Sequence, residues 1–240
     1  MTLLLPALSA PVSAQIAPSP KELSAYRGLH AAAAQGDAAA IERLVKTGAA
    51  IEARDSHGRT PLHVATFMHQ GDAARVLLRL GVDANALEAQ KYDIVTIAAV
   101  ADDVPMLKLA LAGGGNAKNI TSPYEGTALI AASHLGHDEV VRLLIAAKAP
   151  LDHVNNLGWT ALIESIVLGN GGQRHIATLD ALVKAGADVN RADRDGTTPL
   201  TLARLGAQPR GGTPQDLADH MANETKKWKP IVEALDLKVK

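Results

Sequence analysis

Residues 57 to 65 read HGRTPLHVA. Thr60 is a natural helix N-cap, since its hydroxyl can accept a bond from an unpaired N–H of the first turn. Pro61 suits the first helical position, where its missing N–H is not needed. Leu62 and Ala65 then supply an apolar face. A hydroxyl and an imidazole three residues apart, Thr60 and His63, also suit chemistry. Whether the stretch recurs decides between the two readings.

It recurs. Leu29-His30 and Leu62-His63 are 33 residues apart, as are Gly48-Ala49 and Gly81-Val82. The same register finds Asp93-Ile94-Val95-Thr96, Thr127-Ala128-Leu129-Ile130, Thr160-Ala161-Leu162-Ile163 and Thr198-Pro199-Leu200-Thr201. The downstream half repeats as LVKTGAAIEA, VLLRLGVDANA, LLIAAKAPLD and LVKAGADVNRAD. Histidine survives in two units and becomes Thr96, Ile130, Ile163 or Thr201 elsewhere. A catalytic base is not swapped for isoleucine along a series, whereas a position facing a neighbouring helix can be. The pair is structural.

A period of 33 carrying a TPLH motif resembles the ankyrin repeat, over residues 25 to 205 and six units. The resemblance implies an all-α solenoid of helix-turn-helix units joined by short β-hairpin loops. It also implies that the motif histidine ties the Thr hydroxyl to neighbouring backbone, a role carried here to His30 and His63. Arg27 stands where the Thr of His30 would be. The units fall near 25–54, 55–87, 88–119, 120–154, 155–191 and 192–240. Unit three lacks the turn Gly and the Pro, but Asp93 can still cap its first helix. Its exit, Gly113-Gly114-Gly115-Asn116, is expected to be pliable. Unit five carries an insertion in GNGGQRH, expected to form a mobile surface loop over 169–175. In unit six an insertion at 207–227 displaces the second helix to 230–237.

The first 14 residues contain an apolar run, Leu3 to Leu8, and a Val12-Ser13-Ala14 cleavage pattern, which reads as a signal peptide. No Lys or Arg precedes Lys21, a departure from the secretory pattern. Residues 15–24 read as a linker. Net charge is −1, so no basic field recruits nucleic acid or an acidic membrane. Cysteine is absent, which excludes thiol catalysis, disulfides and Cys-ligated zinc.

Catalytic patterns are thin. His134 and His137 are three apart, but Gly136 between them belongs in an interhelical turn. The Gly runs precede no GK[ST], and Asp102-Asp103 reads as solvated. The expectation is a non-enzyme without metal or cofactor.

The aromatic residues number six. Tyr26, Tyr92 and Trp159 stand just before the capping position, Tyr124 lies two residues earlier in its hairpin, and Phe67 lies near the end of its helix. The resemblance places these positions on the concave face where partners bind, and His57, Arg59 and Arg194 of the hairpins join them. Tyr and Trp are enriched among interface residues that carry binding energy. The alternative is that hairpin aromatics stack between adjacent repeats. The leader and repeat type together resemble small periplasmic ankyrin proteins. That implies a secreted, monomeric, periplasmic module binding a partner protein, such as a toxin in an immunity role or a catalase-type enzyme in stress protection. The rival reading is an intracellular or host-directed scaffold or effector, with the leader retained.

Overall fold

The computed structural model describes residues 15–205. The leader over 1–14, the insertion at 207–227 and the helix at 230–237 lie outside them. The described residues hold twelve helices. After α1 (Pro20–Ala25) they come in pairs: α2 (Gly28–Gln35) with α3 (Ala38–Lys46), α4 (Pro61–Phe67) with α5 (Gly71–Arg79), and α6 (Ile94–Val100) with α7 (Val104–Ala112). Then follow α8 (Ala128–Leu135) with α9 (Asp138–Ala146), α10 (Ala161–Val167) with α11 (Gln173–Lys184), and α12 (Pro199–Leu205).

Each inner helix from α4 onward starts on a side-chain cap. Thr60, Asp93, Thr127 and Thr160 accept from the backbone N–H of His63, Thr96, Ile130 and Ile163. Thr198 does the same for Thr201, at 3.1 Å. Such a cap stabilises by about 1 kcal/mol.

Two layers result. The inner helices α2, α4, α6, α8, α10 and α12 pack each on the next, and the outer helices α3, α5, α7, α9 and α11 do likewise. Ala32, Ala65, Ala98 and Ala132 recur at one buried register position, which lets successive helices approach closely. Leu62, Leu129 and Leu162 fill the inner layer, and Leu77, Leu144 and Leu182 the outer one. Each buried side chain of this size contributes about 1.5–3 kcal/mol. The core is one continuous stripe from Leu29 to Ala187.

The motif histidines join units. His63 Nε2 lies 3.2 Å from the Tyr92 carbonyl, while its Nδ1 lies 2.8 Å from Thr60 Oγ1. His30 lacks the Thr but keeps the backbone tie, 2.9 Å from the Arg59 carbonyl. Burial pushes the His63 imidazole down to about 4. The hairpin loops are linked in series by Ala89 N–H to His57 O, Ser122 N–H to Lys91 O and Asn156 N–H to Tyr124 O. These bonds are too sparse to make strands. An isolated bridge, Thr121 with Gly126, is the β pairing that the described residues contain.

Three expectations are corrected. The linker over 15–24 contains α1, because Ser19 and Glu22 form a reciprocal capping box around Pro20. The triple glycine is a packing solution, not a pliable exit. Gly114 takes φ +97°, while a Cβ on Gly113 would sit 2.6 Å from Leu78 and one on Gly115 2.6 Å from Val95. The 169–175 stretch is not a loop throughout. Its second half lengthens α11 to 12 residues against nine in the other outer helices, and His175 is buried there.

Candidate partner-binding face

The hairpins are shaped by one acceptor side chain, five residues before the cap. Asp55 Oδ1 accepts from the N–H of His57 and Arg59, Glu88 Oε1 from Gln90 and Tyr92, Asn155 Oδ1 from Leu157 and Trp159, and Asp193 Oδ1 from Asp195 and Thr197. Asp55, Asn155 and Asp193 make Asx turns, Glu88 makes the same pair of bonds with a longer side chain, and each pair substitutes for strand pairing. In unit four, which has one extra residue, Ser122 Oγ accepts from Tyr124 N–H at 3.2 Å. These positions were missed in the sequence because Asp, Glu and Asn are not one residue type. Their constant offset from the cap was the available signal. Burial pushes the Glu88 carboxyl up from its ordinary value.

The predicted site residues divide. Arg59 is completely buried, which removes it from any binding face. Its Nε donates to Asp55 Oδ2 at 2.7 Å, one terminal nitrogen to the Ile16 carbonyl at 3.1 Å, and the other to Glu22. Tyr26 donates to the same Asp55 oxygen at 2.6 Å, and its ring rests on His30 at 5.3 Å. Tyr92 is 4% exposed and also leaves the face. Arg59 and Tyr92 were placed there by their register beside the cap, but the Arg59 side chain is enclosed by Ile16, Glu22 and Asp55, and the Tyr92 ring is buried.

Around Arg59 the electrostatics are strong. Bonds from Ser19, then from Arg59, hold Glu22 down to about 2. Burial opposes ionisation of Asp55, but bonds from Tyr26 and Arg59 and backbone N–H groups hold it down to about 2 as well. Burial and the bond to Asp55 push the Tyr26 phenol up. Ligand atoms of Glu22, Asp55 and His57 lie within 4.8 Å of one another, a spacing that suits a cation. The Arg59 guanidinium is that cation: it bonds both carboxylates and lies 3.3 Å from His57 Nδ1.

The other predicted residues remain accessible. Phe67, Tyr124, Trp159 and His57 are part-exposed, and Arg194 is exposed while donating to the Asn156 carbonyl. Leu87, Ile120, Leu135 and Leu168 are also each more than a third exposed. The helices behind this face are nearly free of charge. Glu164 is the single Asp, Glu, Lys or Arg in α2, α4, α6, α8 and α10, whereas every outer helix carries charged residues. His134 and His137 do not converge on a shared ligand position. His134 Nδ1 lies 3.0 Å from Glu164, and His137 Nδ1 lies 2.9 Å from the Ala99 carbonyl, in the opposite neighbouring unit.

The unit-five insertion acts on the far side of the array. Arg174 reaches Asp138 of unit four at 3.0 Å and Asp102 of unit three at 2.8 and 3.0 Å. His175 Nε2 lies 3.0 Å from the His134 carbonyl. The extra turn of α11 therefore braces three units, and Asp102, expected to be merely solvated, is one of its anchors.

The sequence matches the family described as ankyrin repeats, in a three-copy form, over residues 13–88 and 95–193. It is 30% identical over 174 residues to the putative ankyrin repeat protein YahD of Escherichia coli, covering 72% of this chain and 86% of YahD. Human ankyrin repeat and SOCS box protein 16 is 28% identical over 222 residues, 84% of this chain and 49% of that protein, so the chain spans about half its length. The crystal structure of an ankyrin repeat domain from Acinetobacter baumannii AYE is similar at TM-score 0.70 and 39% identity, covering 83% of this chain and 96% of that one. No helix among the described residues is long and apolar enough to cross a membrane. With its 33-residue period, paired helices and capped inner layer, the chain belongs to the ankyrin-repeat family.

Proposed function

We propose that the protein holds a partner protein against its hairpin and inner-helix face, as a monomer in the bacterial periplasm after removal of residues 1–14. Arrays of this family are protein–protein interaction modules, and no catalytic family is indicated. The observation that carries the reading is a charge-poor inner face edged by part-exposed Phe67, Tyr124 and Trp159. Large rings at a surface otherwise built from Ala, Val and Leu are what interface anchors require. Suitable partners are a toxin neutralised by binding or a catalase-type enzyme. Crosslinking of tagged protein in its native host supplies the partner, and Tyr124→Ala and Trp159→Ala test the face. Loss of the crosslink with unchanged melting supports it; an unchanged crosslink in both variants overturns it. Protein recovered from periplasmic extracts should begin at Gln15. An intact Met1 on cytoplasmic protein would replace the compartment with an intracellular one.

A further inference from the structure

The inner face has one polar feature that the repeat itself does not require. Asn155, the turn residue of the unit-five hairpin, is bound to Trp159 through backbone and side chain, each at 3.0 Å. Its side-chain amide also donates to Glu164 Oε1 at 2.9 Å, and Glu164 Oε2 lies 3.0 Å from His134 Nδ1. At the register of Glu164 the other units hold Val64, Ile97 and Ala131; at that of His134 they hold Phe67, Val100 and Val167. The pair is thus an addition at positions that elsewhere are apolar.

Glu164 differs from the other buried carboxylates. Glu88 and Asp93 accept backbone N–H bonds and serve a turn and a cap. Glu22 and Asp55, which are only part-buried, face Arg59. Among the described residues Glu164 accepts no backbone N–H, and its partners there, Asn155 and His134, carry no permanent positive charge. A buried carboxylate is costly unless its charge is matched. Its side chain is only 5% exposed, but His134 in front of it is 28% exposed. With Nδ1–H donating to the carboxylate, the neutral form of the ring would present Nε2 as an acceptor. Leu135, next in its own unit, and Leu168, at the same register in the next unit, are each 42% exposed.

We propose that the inner face of units four and five takes a partner segment presenting one basic side chain between apolar residues, with the donor of that side chain meeting His134 and its charge matching Glu164. Apolar flanks fit Leu135, Leu168 and Trp159, and the cation supplies the permanent charge that the Glu164 cluster lacks. This rests on the binding face proposed above and names its partner chemistry.

The test selects a phage-displayed random peptide library on the full chain and titrates the enriched peptides individually. Enriched sequences should share one Lys or Arg between Leu, Ile, Phe or Trp residues. Replacing that Lys or Arg by norleucine should weaken binding to the native chain by about tenfold or more, as close interfacial charge pairs do. The same replacement should cost little against Glu164→Gln, which keeps its amide partner and so its fold, and against His134→Phe, which installs the residue of unit two. Uncharged or acidic peptides, no enrichment, or an equal loss on Glu164→Gln would each overturn the proposal. If Trp159→Ala and Tyr124→Ala abolish binding while Glu164→Gln does not, the face stands and the basic contact falls. If none of these variants matters, the face itself falls.

Discussion

Units one and two and units four and five set the same groups into opposite uses. Both have carboxylates buried beside a hairpin, and both place a large side chain just before the inner-helix cap. In the first region that side chain is Arg59, wholly buried and bonded to Asp55, Glu22 and the Ile16 carbonyl. In the second it is Trp159, part-exposed, with Glu164 nearby in the network and no Lys or Arg bonded to it among the described residues. The difference follows from position in the array. Each unit buries its face against neighbours, so the first one needs a closing device. Segment 15–25 and Arg59 provide it. Beside Trp159 no such segment lies among the described residues, and its edge stays part-exposed.

The largest test breaks the closed end. Arg59→Ala leaves Asp55 and Glu22 without their guanidinium and should cost about 3–5 kcal/mol, as loss of one partner from a buried ion pair does. Urea unfolding measures the loss, and proteolysis near α1 should accelerate with it. A variant as stable as the native chain would mean that the two regions do not differ in energy. Tyr92→Ala and Trp159→Ala give the next contrast. Tyr92 is core and should cost about 3 kcal/mol of stability. Trp159 should cost little stability but about 2 kcal/mol of partner affinity, roughly thirtyfold. Melting curves and partner titrations showing equal behaviour for the two rings would erase the distinction.

Acid should separate the histidine from the carboxylates within the first region. The folded-state value for His63, about 4, lies below its ordinary value of 6.5. The unfolded chain therefore takes up the proton first. The contribution of His63 is fully present above 6.5 and is lost as pH falls toward 4, up to about 3 kcal/mol. Glu22 and Asp55 also have depressed values, so their contributions survive to ordinary carboxylate pH and fade only as pH falls toward 2. Urea midpoints against pH for the native chain and His63→Gln should converge in the upper window and leave the lower one unchanged. Parallel curves between pH 7 and 4 would contradict the role given to His63 burial.

Much of the fold was legible because a 33-residue period fixes which residues share a layer. His30 keeps its tie to the next hairpin although Arg27 stands in place of the Thr, and Asp93 caps α6 although the TPLH motif is lost there. The face was less legible. Register says that Tyr26, Arg59, Tyr92 and Trp159 are equivalent, but exposure depends on what the adjoining unit sets beside each, and a one-dimensional alignment omits that neighbour. Asp102 and Arg174 show the same limit. They are 72 residues apart, and nothing in either unit alone announces the pairing.

That pairing yields the smallest expected effect and the sharpest one mechanistically. Arg174 is 53% exposed, so its bonds to Asp102 and Asp138 are screened and should be worth about 0.5–1 kcal/mol together. What distinguishes them is reach. An array with contacts only between adjacent units has no term linking unit three directly to unit five. Arg174 supplies one, because the inserted residues start α11 early enough for its side chain to pass unit four. Arg174→Ala and Asp102→Asn should therefore be coupled: the double variant should lose less than the two single losses added. The coupling should shrink in 1 M salt, where the screening length is about 3 Å. Additive losses at low salt would reduce the insertion to a surface extension. A coupling that disappears with salt would instead mark units three to five as one braced block, holding the edge of Tyr124 and Trp159 at a fixed curvature.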